Sequence, residues 1–316
     1  MVLSANLLFI RDNNTVPISM LETHVGSLKL ERPGIVASGI MDETGDSMVR
    51  MITLGAGAAV TKSIGSVLKT GHKNPTFIEY PFGYMNSMGL PNPGINIYRE
   101  EMEVAVKGGI IIGSIFAASP EEFAELAQRM ETYGASAIEL NLSCPHAKGY
   151  GIEMGTDPDI VRMIVTAVKK EVKIPVFAKL AYNDKLVLIG KTVQDAGGDG
   201  IVAINTLKAM SIAPEFARPV LSNKFGGLSG PALKPIGVRA IYDLYEALDI
   251  PLIGVGGITN WRDAVEYIMA GASAFQVGSA IGANVNVFSE INTGLELFMN
   301  EYGYPSIEKM VGAAHD

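Results

Sequence analysis

Residues 252–280 read LIGVGGITNWRDAVEYIMAGASAFQVGSA. Two short apolar runs, Leu252–Val255 and Ala274–Val277, flank an amphipathic stretch at Trp261–Ala270. Each run leads into a glycine-bearing turn, GGI after the first and GSA after the second. This alternation is typical of a β-strand, a helix and a second, parallel β-strand. The stretch therefore predicts two parallel strands that both end in glycine turns.

The same alternation extends over most of the 316-residue chain. The other candidate strands are Ile35–Ser38, Ala58–Thr61, Ile110–Ile115, Ala137–Leu140, Val176–Lys179 and Gly200–Ile204. Helical stretches lie near Asp46–Leu54, Tyr98–Val106, Pro120–Thr132, Pro158–Glu171, Lys185–Ala196, Lys234–Leu248 and Ser289–Met299. Strands that are apolar on both faces and alternate with helices predict an α/β fold, a closed (β/α)8 barrel of the TIM type. A doubly wound open sheet is the alternative.

The positions of polar and glycine residues favour the barrel. They follow the candidate strands at their carboxyl ends: Ser38, Lys62, Asn141, Lys179, Asn205, Gly256 and Gly278. In a barrel these ends converge on one mouth, whereas an open sheet spreads them along a crevice. Two longer segments, at about Gly65–Ile97 and Lys208–Gly230, are predicted to be active-site loops. We expect one barrel domain over residues 20–316 with an opening β segment, preceded by an extension of unknown role at residues 1–19.

The glycine turns after the last two candidate strands predict a phosphate site. In barrels, phosphate commonly binds to backbone N–H groups of the loops after the seventh and eighth strands. Glycine permits the close approach, and helix N-termini favour negative charge. A lone GG turn is as often an ordinary tight turn, but a pair of such motifs favours phosphate binding.

Composition narrows the function classes. The net charge is −8 and the sequence has no stripe of basic residues, which argues against nucleic acid as a binding partner. A single cysteine, Cys144, can form no internal disulfide and cannot supply the roughly four ligands of an iron–sulfur cluster. The four histidines are scattered, so we expect no metal site. No apolar run reaches the roughly 18–20 residues of a membrane span. We expect a cytoplasmic protein without a signal peptide.

Residues 139–146, ELNLSCPH, cross the end of the fourth candidate strand. A lone cysteine is by default a small buried hydrophobe. Here Asn141, Ser143 and His146 place polar groups about the thiol of Cys144 at the predicted mouth. This arrangement favours a role in proton transfer.

Six motifs occur together in an order and spacing that resemble class 1 dihydroorotate dehydrogenases. They are TKS at 61–63, NSMGLPNPG at 86–94, NLSCPH at 141–146, INT at 204–206, GGLSGPA at 226–232 and GGI at 256–258. The likeness runs from about Leu21 to Ala283 and is strongest to the catalytic FMN subunit of the heteromeric, cysteine-base type, including its archaeal-like members. Ser114 departs from the resemblance, because that type often has an FMN-contacting asparagine there.

The resemblance implies oxidation of (S)-dihydroorotate to orotate in de novo pyrimidine biosynthesis, with Cys144 as the base. It implies FMN contacts from Ser38, Lys62, Ser63, Asn141, Lys179, Ile204, Gly230, Gly256, Gly257, Gly278 and Ser279. The orotate-type ring is expected at Lys62, Asn86, Asn141, Asn205 and Thr206, with its carboxylate at backbone groups of Met88, Gly89 and Leu90. The resemblance also implies a homodimer core and, in heteromeric relatives, a separate FAD and iron–sulfur reductase subunit.

Two other functions stay open at this point. Dihydropyrimidine dehydrogenases, which act on uracil or thymine, resemble this chain in the SCPH segment. The Gly89-Leu90 turn favours dihydroorotate over these substrates, because orotate has a carboxylate and uracil lacks one. A flavin-binding electron-transfer subunit without chemistry of its own is the other alternative, and its expected mark is loss of the base, whereas Cys144 is present.

Overall fold

The computed structural model describes residues 20–142 and 155–315. Its centre is a closed barrel of eight parallel strands, which confirms the (β/α)8 prediction. In chain order the strands are β1 (Gly34–Val36), β2 (Ala58–Val60), β3 (Ile111–Ile115), β4 (Ala137–Asn141), β5 (Val176–Leu180), β6 (Gly200–Ala203), β7 (Leu252–Val255) and β8 (Ala272–Val277). Each strand pairs with the next, and β8 pairs with β1 to close the barrel.

Helices surround the barrel. They are α1 (Gly45–Thr53), α2 (Ile95–Ala105), α3 (Pro120–Thr132), α4 (Pro158–Glu171), α5 (Leu186–Asp195), α6 (Lys234–Ala247), α7 (Trp261–Met269), α8 (Ala280–Ala283) and α9 (Val287–Tyr302). Asp157 caps α4 through its side chain, and Asn260 caps α7. Within the described residues, no helix has the length and apolar character needed to cross a membrane.

The start of α3 shows how the local sequence sets a helix boundary. The Ser119 hydroxyl accepts a hydrogen bond from the backbone N–H of Glu122, and Pro120 occupies the first turn. The Glu122 carboxylate accepts from the N–H of Ala118 rather than from that of Ser119. The start of α3 therefore differs from a capping box, in which the carboxylate accepts from the N–H of the N-cap residue itself.

The amino end of the barrel, which we call the bottom, is closed by an antiparallel hairpin of Thr23–Val25 and Leu28–Leu30. Val25 and Leu30 are fully buried and pack in one apolar cluster with inward side chains of the barrel strands, including Phe177 and Ile253. This hairpin is the opening β segment expected from the sequence. In the described part of the chain, the hairpin thus covers the bottom of the barrel, opposite the carboxyl ends of the strands.

The two long segments predicted as loops form a four-stranded antiparallel sheet, which we call the mouth sheet. Its strands, in spatial order, are Leu207–Met210, Phe225–Ser229, Gly83–Asn86 and Phe77–Tyr80. Gly227 pairs with Asn86 across the two segments. Local periodicity gave no sign of this sheet, because its strands are short and its central partners are far apart in the chain.

Candidate active site

A cavity of about 800 Å³ opens at the carboxyl ends of the barrel strands and is bounded on one side by the mouth sheet. This volume lies within the range of small-molecule sites. The lining includes every described residue that the sequence assigned to a site: Ser38, Lys62, Ser63, Asn86, Met88, Gly89, Leu90, Asn141, Lys179, Ile204, Asn205, Thr206, Gly230, Gly256, Gly257, Gly278 and Ser279. Residues spread over more than two hundred positions thus meet at one cavity.

Hydroxyl and amide groups link the first four strands at the cavity floor. The Ser63 Oγ lies 3.3 Å from the Ser38 Oγ and 2.9 Å from the Ser114 Oγ. The Asn141 Nδ2 donates to the Ser63 Oγ at 3.0 Å. Ser114 is fully buried, so it supports Ser63 from below. These bonds fix the side-chain directions of the site residues on β1 to β4.

A charged cluster lies deeper in the barrel. The Lys179 Nζ is 3.3 Å from the Glu139 Oε1 and donates to the Gln276 Oε1 at 3.0 Å. The Gln276 Nε2 donates to the Glu139 Oε2 at 2.7 Å. Sequence reasoning assigned no role to Glu139 or Gln276. The period of two in a β-strand could have indicated them, because alternate residues point to the same face. Glu139 lies two positions before Asn141, and Gln276 lies two positions before Gly278.

Asp42 is a second buried acid that sequence reasoning missed. Its Oδ2 accepts from the backbone N–H of Gly39, a cavity residue, and its Oδ1 meets no hydrogen-bond partner among the described residues. Burial raises the pKa of Asp42 to about 6, although the nearby Lys62 ammonium acts in the opposite direction. The Lys62 Nζ also lies 3.2 Å from the exposed Glu43 carboxylate.

The glycine turns after β7 and β8 differ in their physical role. Gly257 has φ +71°, and a Cβ there would lie 2.7 Å from the backbone N of Lys234, so the backbone itself requires glycine. At Gly278 an added Cβ would meet only the Ala37 Cβ, at 3.6 Å. Gly278 therefore leaves cavity space that a side chain would fill, which fits the close approach of a phosphate group.

Another part of the cavity lining comes from the mouth sheet and from residues 88–91, which follow its strand Gly83–Asn86. Gly89 and Leu90 have positive φ angles of +78° and +56° and form a turn at the cavity edge. The Asn92 side chain accepts from the N–H groups of Gly65 and Gly94 and donates to the Leu90 carbonyl at 3.0 Å. Asn92 thus shapes the turn that presents Leu90.

The sequence-predicted base, Cys144, lies outside the described residues, as do Ser143 and His146. Asn141, three positions before Cys144, ends β4 and lines the cavity. In the described part of the chain, no group of three or more His, Cys, Asp or Glu side chains is placed to hold a metal ion.

Comparison with known proteins identifies the family. The sequence profile described as "Dihydroorotate dehydrogenase" matches residues 20–299. The proteins named "Dihydroorotate dehydrogenase B (NAD(+)), catalytic subunit" from Methanocella arvoryzae and Methanocaldococcus jannaschii are each 48% identical to this chain, over 92% and 94% of it and 97% and 99% of their own lengths. The protein of that name from Pyrococcus furiosus is 50% identical over 91% of this chain and 96% of its own length. The chain therefore belongs to the dihydroorotate dehydrogenase family.

Proposed function

We propose that this protein is the catalytic subunit of a class 1 dihydroorotate dehydrogenase, which uses FMN to oxidise (S)-dihydroorotate to orotate in pyrimidine biosynthesis. The observation that carries the proposal is the convergence of the assigned cofactor and substrate residues on one cavity. Members of the family are flavin-dependent, and the relatives' names describe the same catalytic subunit. A barrel alone hosts many chemistries, so the argument rests on the site.

The cavity fits FMN. Gly278 leaves an opening where the phosphate can approach the backbone, and the neighbouring Gly256 and Gly257 belong to the same wall. Lys62 and Lys179 bring two ammonium groups to the same cavity, where they offset negative charge. When bound, the flavin supplies a hydride acceptor, and the protein supplies orientation and electrostatics.

The other residues that line the cavity fit a substrate that is a cyclic ureide with a carboxylate group. Asn86, Asn141 and Asn205 all line the cavity, and each side-chain amide offers both donor and acceptor groups. The turn at Gly89 and Leu90 presents backbone groups at the cavity edge, where the substrate carboxylate binds in this proposal. Uracil and thymine lack that carboxylate, which favours dihydroorotate as the substrate.

Oxidation of dihydroorotate removes a proton from C5 and a hydride from C6. When bound, the flavin would supply the acceptor for the hydride, and the Cys144 thiolate would take the proton, so that both groups lost from dihydroorotate are accounted for. The Asn141 amide, held by Ser63 at 3.0 Å, would orient the substrate ring in the cavity.

The visible spectrum of the purified protein tests the proposal. We expect a yellow protein whose flavin is FMN and is bleached anaerobically by dihydroorotate but not by dihydrouracil. Bleaching by dihydrouracil would favour a dihydropyrimidine dehydrogenase. A yellow protein that neither substrate reduces would favour a flavin-binding electron-transfer subunit.

The proposal extends to partners and location. We infer a partner subunit through which electrons reach NAD(+), because relatives are named catalytic subunits of dihydroorotate dehydrogenase B (NAD(+)). The resemblance to heteromeric relatives extends this proposal to a homodimer of catalytic chains in the cytoplasm and to a reductase subunit that carries FAD and an iron–sulfur cluster. The chain alone should oxidise dihydroorotate with artificial dyes and should need another protein for rapid NAD reduction. Rapid NAD reduction by the chain alone would contradict the inference that a partner subunit is needed.

A further inference from the structure

A charged pair is buried inside the barrel next to the cavity that we assign to FMN. Glu139 is fully buried, and only 5% of Lys179 and 1% of Gln276 is exposed. The Glu139 carboxylate, the Lys179 ammonium and the Gln276 amide close a ring with contacts of 3.3, 3.0 and 2.7 Å. Lys179 and Gln276 reach the cavity lining, whereas Glu139 lies behind them.

Fold stability does not explain this pair. Removing two charges from water costs several kcal/mol per ion, and replacing a buried ion pair by apolar side chains is often neutral or stabilising. The inward side chains next to the pair, Ala137 and Phe177, are apolar and fully buried. A barrel selected for stability alone is better served by apolar side chains at these positions as well.

The geometry restricts the lysine. An ammonium group has three N–H donors. Two directions are used by the Glu139 carboxylate and the Gln276 carbonyl oxygen, which leaves one donor for the cavity. Glu139 is itself held by the Gln276 amide at 2.7 Å and lies 3.5 Å from the Ser114 hydroxyl. The ring therefore fixes both the position and the direction of the Lys179 ammonium.

We propose that Glu139 is a positioning residue that acts through Lys179 and thereby sets the reduction potential of the bound flavin; this inference rests on the proposed occupation of the cavity by FMN. Positive charge beside a flavin favours its reduced form, because reduction adds negative charge. Glu139 cancels much of the Lys179 charge while keeping its N–H donor in place. The flavin potential is therefore lower than an unpaired lysine would make it, and the reduced flavin is a better electron donor to the next carrier.

The test is a double-mutant cycle with Glu139→Gln and Lys179→Met, read by the binding of oxidised and reduced FMN and by the midpoint potential. Glu139→Gln should raise the ratio of reduced to oxidised FMN affinity at least tenfold, which is about 30 mV for two electrons. In the Lys179→Met background the same substitution should change the ratio less than twofold, because Glu139 then has no ammonium group through which to act on the flavin.

Two outcomes overturn the inference. Equal shifts in both backgrounds would mean that Glu139 acts on the flavin directly, and no shift in either would leave it without influence on the potential. Both outcomes leave the proposed function intact as long as the wild-type protein binds FMN and is reduced by dihydroorotate. A wild-type protein without FMN would instead overturn the proposed function.

Glu139→Gln leaves a buried ammonium group unpaired, which by itself can prevent this variant from folding. Urea unfolding of the single and double variants without FMN tests whether this is the reason. The double variant Glu139→Gln, Lys179→Met carries neither charge and should fold. Recovery of folding in the double variant shows that the single variant failed because of unpaired Lys179. A double variant that also fails to fold overturns the claim that Glu139 acts through the lysine.

Discussion

The two ends of the barrel are built from the same eight strands but differ in chemistry. At the bottom, the hairpin residues Val25 and Leu30 pack on apolar inward side chains and close the barrel. At the mouth, the inward positions carry serine, asparagine, lysine and glutamate side chains linked by hydrogen bonds. Only the mouth contains the cavity that the assigned residues line.

This difference separates stability from binding along the barrel axis. The bottom buries apolar surface, which stabilises the fold. The mouth holds a buried ion pair and an Asp42 oxygen that has no hydrogen-bond partner among the described residues, and both oppose folding. Substitutions at the bottom should therefore change the free energy of unfolding and leave flavin binding unchanged. At the mouth, substitutions that fill the cavity should change flavin binding, and removal of the buried Asp42 charge should raise the free energy of unfolding.

The largest effect is expected at the bottom. Leu30→Ala removes a fully buried side chain from the hairpin and should lower the free energy of unfolding by about 2–5 kcal/mol. Urea unfolding of the apoprotein measures it. Leu297→Ala, at an exposed leucine on α9, is the matched control and should stay within about 0.5 kcal/mol. A loss of FMN affinity in folded Leu30→Ala protein would break the separation of the two ends.

For the proposed base, Cys144→Ala should keep FMN and slow flavin reduction by dihydroorotate on the order of 100-fold or more. A free thiol has a pKa of about 8.5, so the wild-type half-reaction should speed up as pH rises. Stopped-flow reduction of the flavin measures both. Cys144→Ser should be slow and recover partly at high pH. Near-normal reduction in the alanine variant would remove Cys144 from the mechanism.

Gly278→Val should lower FMN affinity on the order of tenfold to 100-fold, because the side chain enters the space assigned to the phosphate. The fold should be preserved, since the added Cβ would contact only Ala37. Gly257→Ala is the informative counterpart, because its backbone has φ +71° and it should destabilise the fold itself. A fully yellow Gly278→Val protein would place the phosphate elsewhere.

Asp42→Asn tests how much the buried Asp42 carboxylate at the mouth lowers the free energy of unfolding. Burial raises the pKa of Asp42 from 3.8 to about 6, so between these values the folded state keeps a proton that the unfolded state has lost. Wild-type stability should therefore fall as pH rises through this window. The variant should be more stable by roughly 1–3 kcal/mol at pH 8, and the difference should vanish near pH 4.

The matched control for Asp42→Asn is Glu43→Gln. Glu43 is exposed and pairs with Lys62, whose ammonium group also acts on Asp42. Its effect on the free energy of unfolding should stay below about 1 kcal/mol. A flat pH dependence of the difference between wild type and Asp42→Asn would show that this carboxyl group is ionised in the folded state and paired.

The sequence predicted the barrel well because each strand and helix carries its own periodicity. It also placed Asn141 and Gly278 at the mouth, since both lie at the carboxyl ends of strands that must converge in a barrel. It did not reveal the mouth sheet, in which Asn86 pairs with Gly227 across a long stretch of chain. Nor did it reveal the Glu139–Lys179 pair, because the pairing depends on three-dimensional registry between neighbouring strands.

The smallest effect is expected at the amino terminus. Residues 1–19 precede the family match, which begins at residue 20, and we propose that they are an extension dispensable for FMN binding and activity. The bottom begins immediately after them. Leu21 is 2% exposed, and the Thr23 hydroxyl donates to the Ser273 carbonyl at 2.7 Å. A chain that starts at Met20 should keep its flavin, its rate and its unfolding free energy, because no residue of the hairpin is lost. A chain that starts at Glu31 loses the hairpin and exposes the apolar bottom, so it should be strongly destabilised. If the Met20 chain loses several kcal/mol of stability, the extension packs on the barrel or on a neighbouring subunit, and the bottom is larger than the hairpin alone.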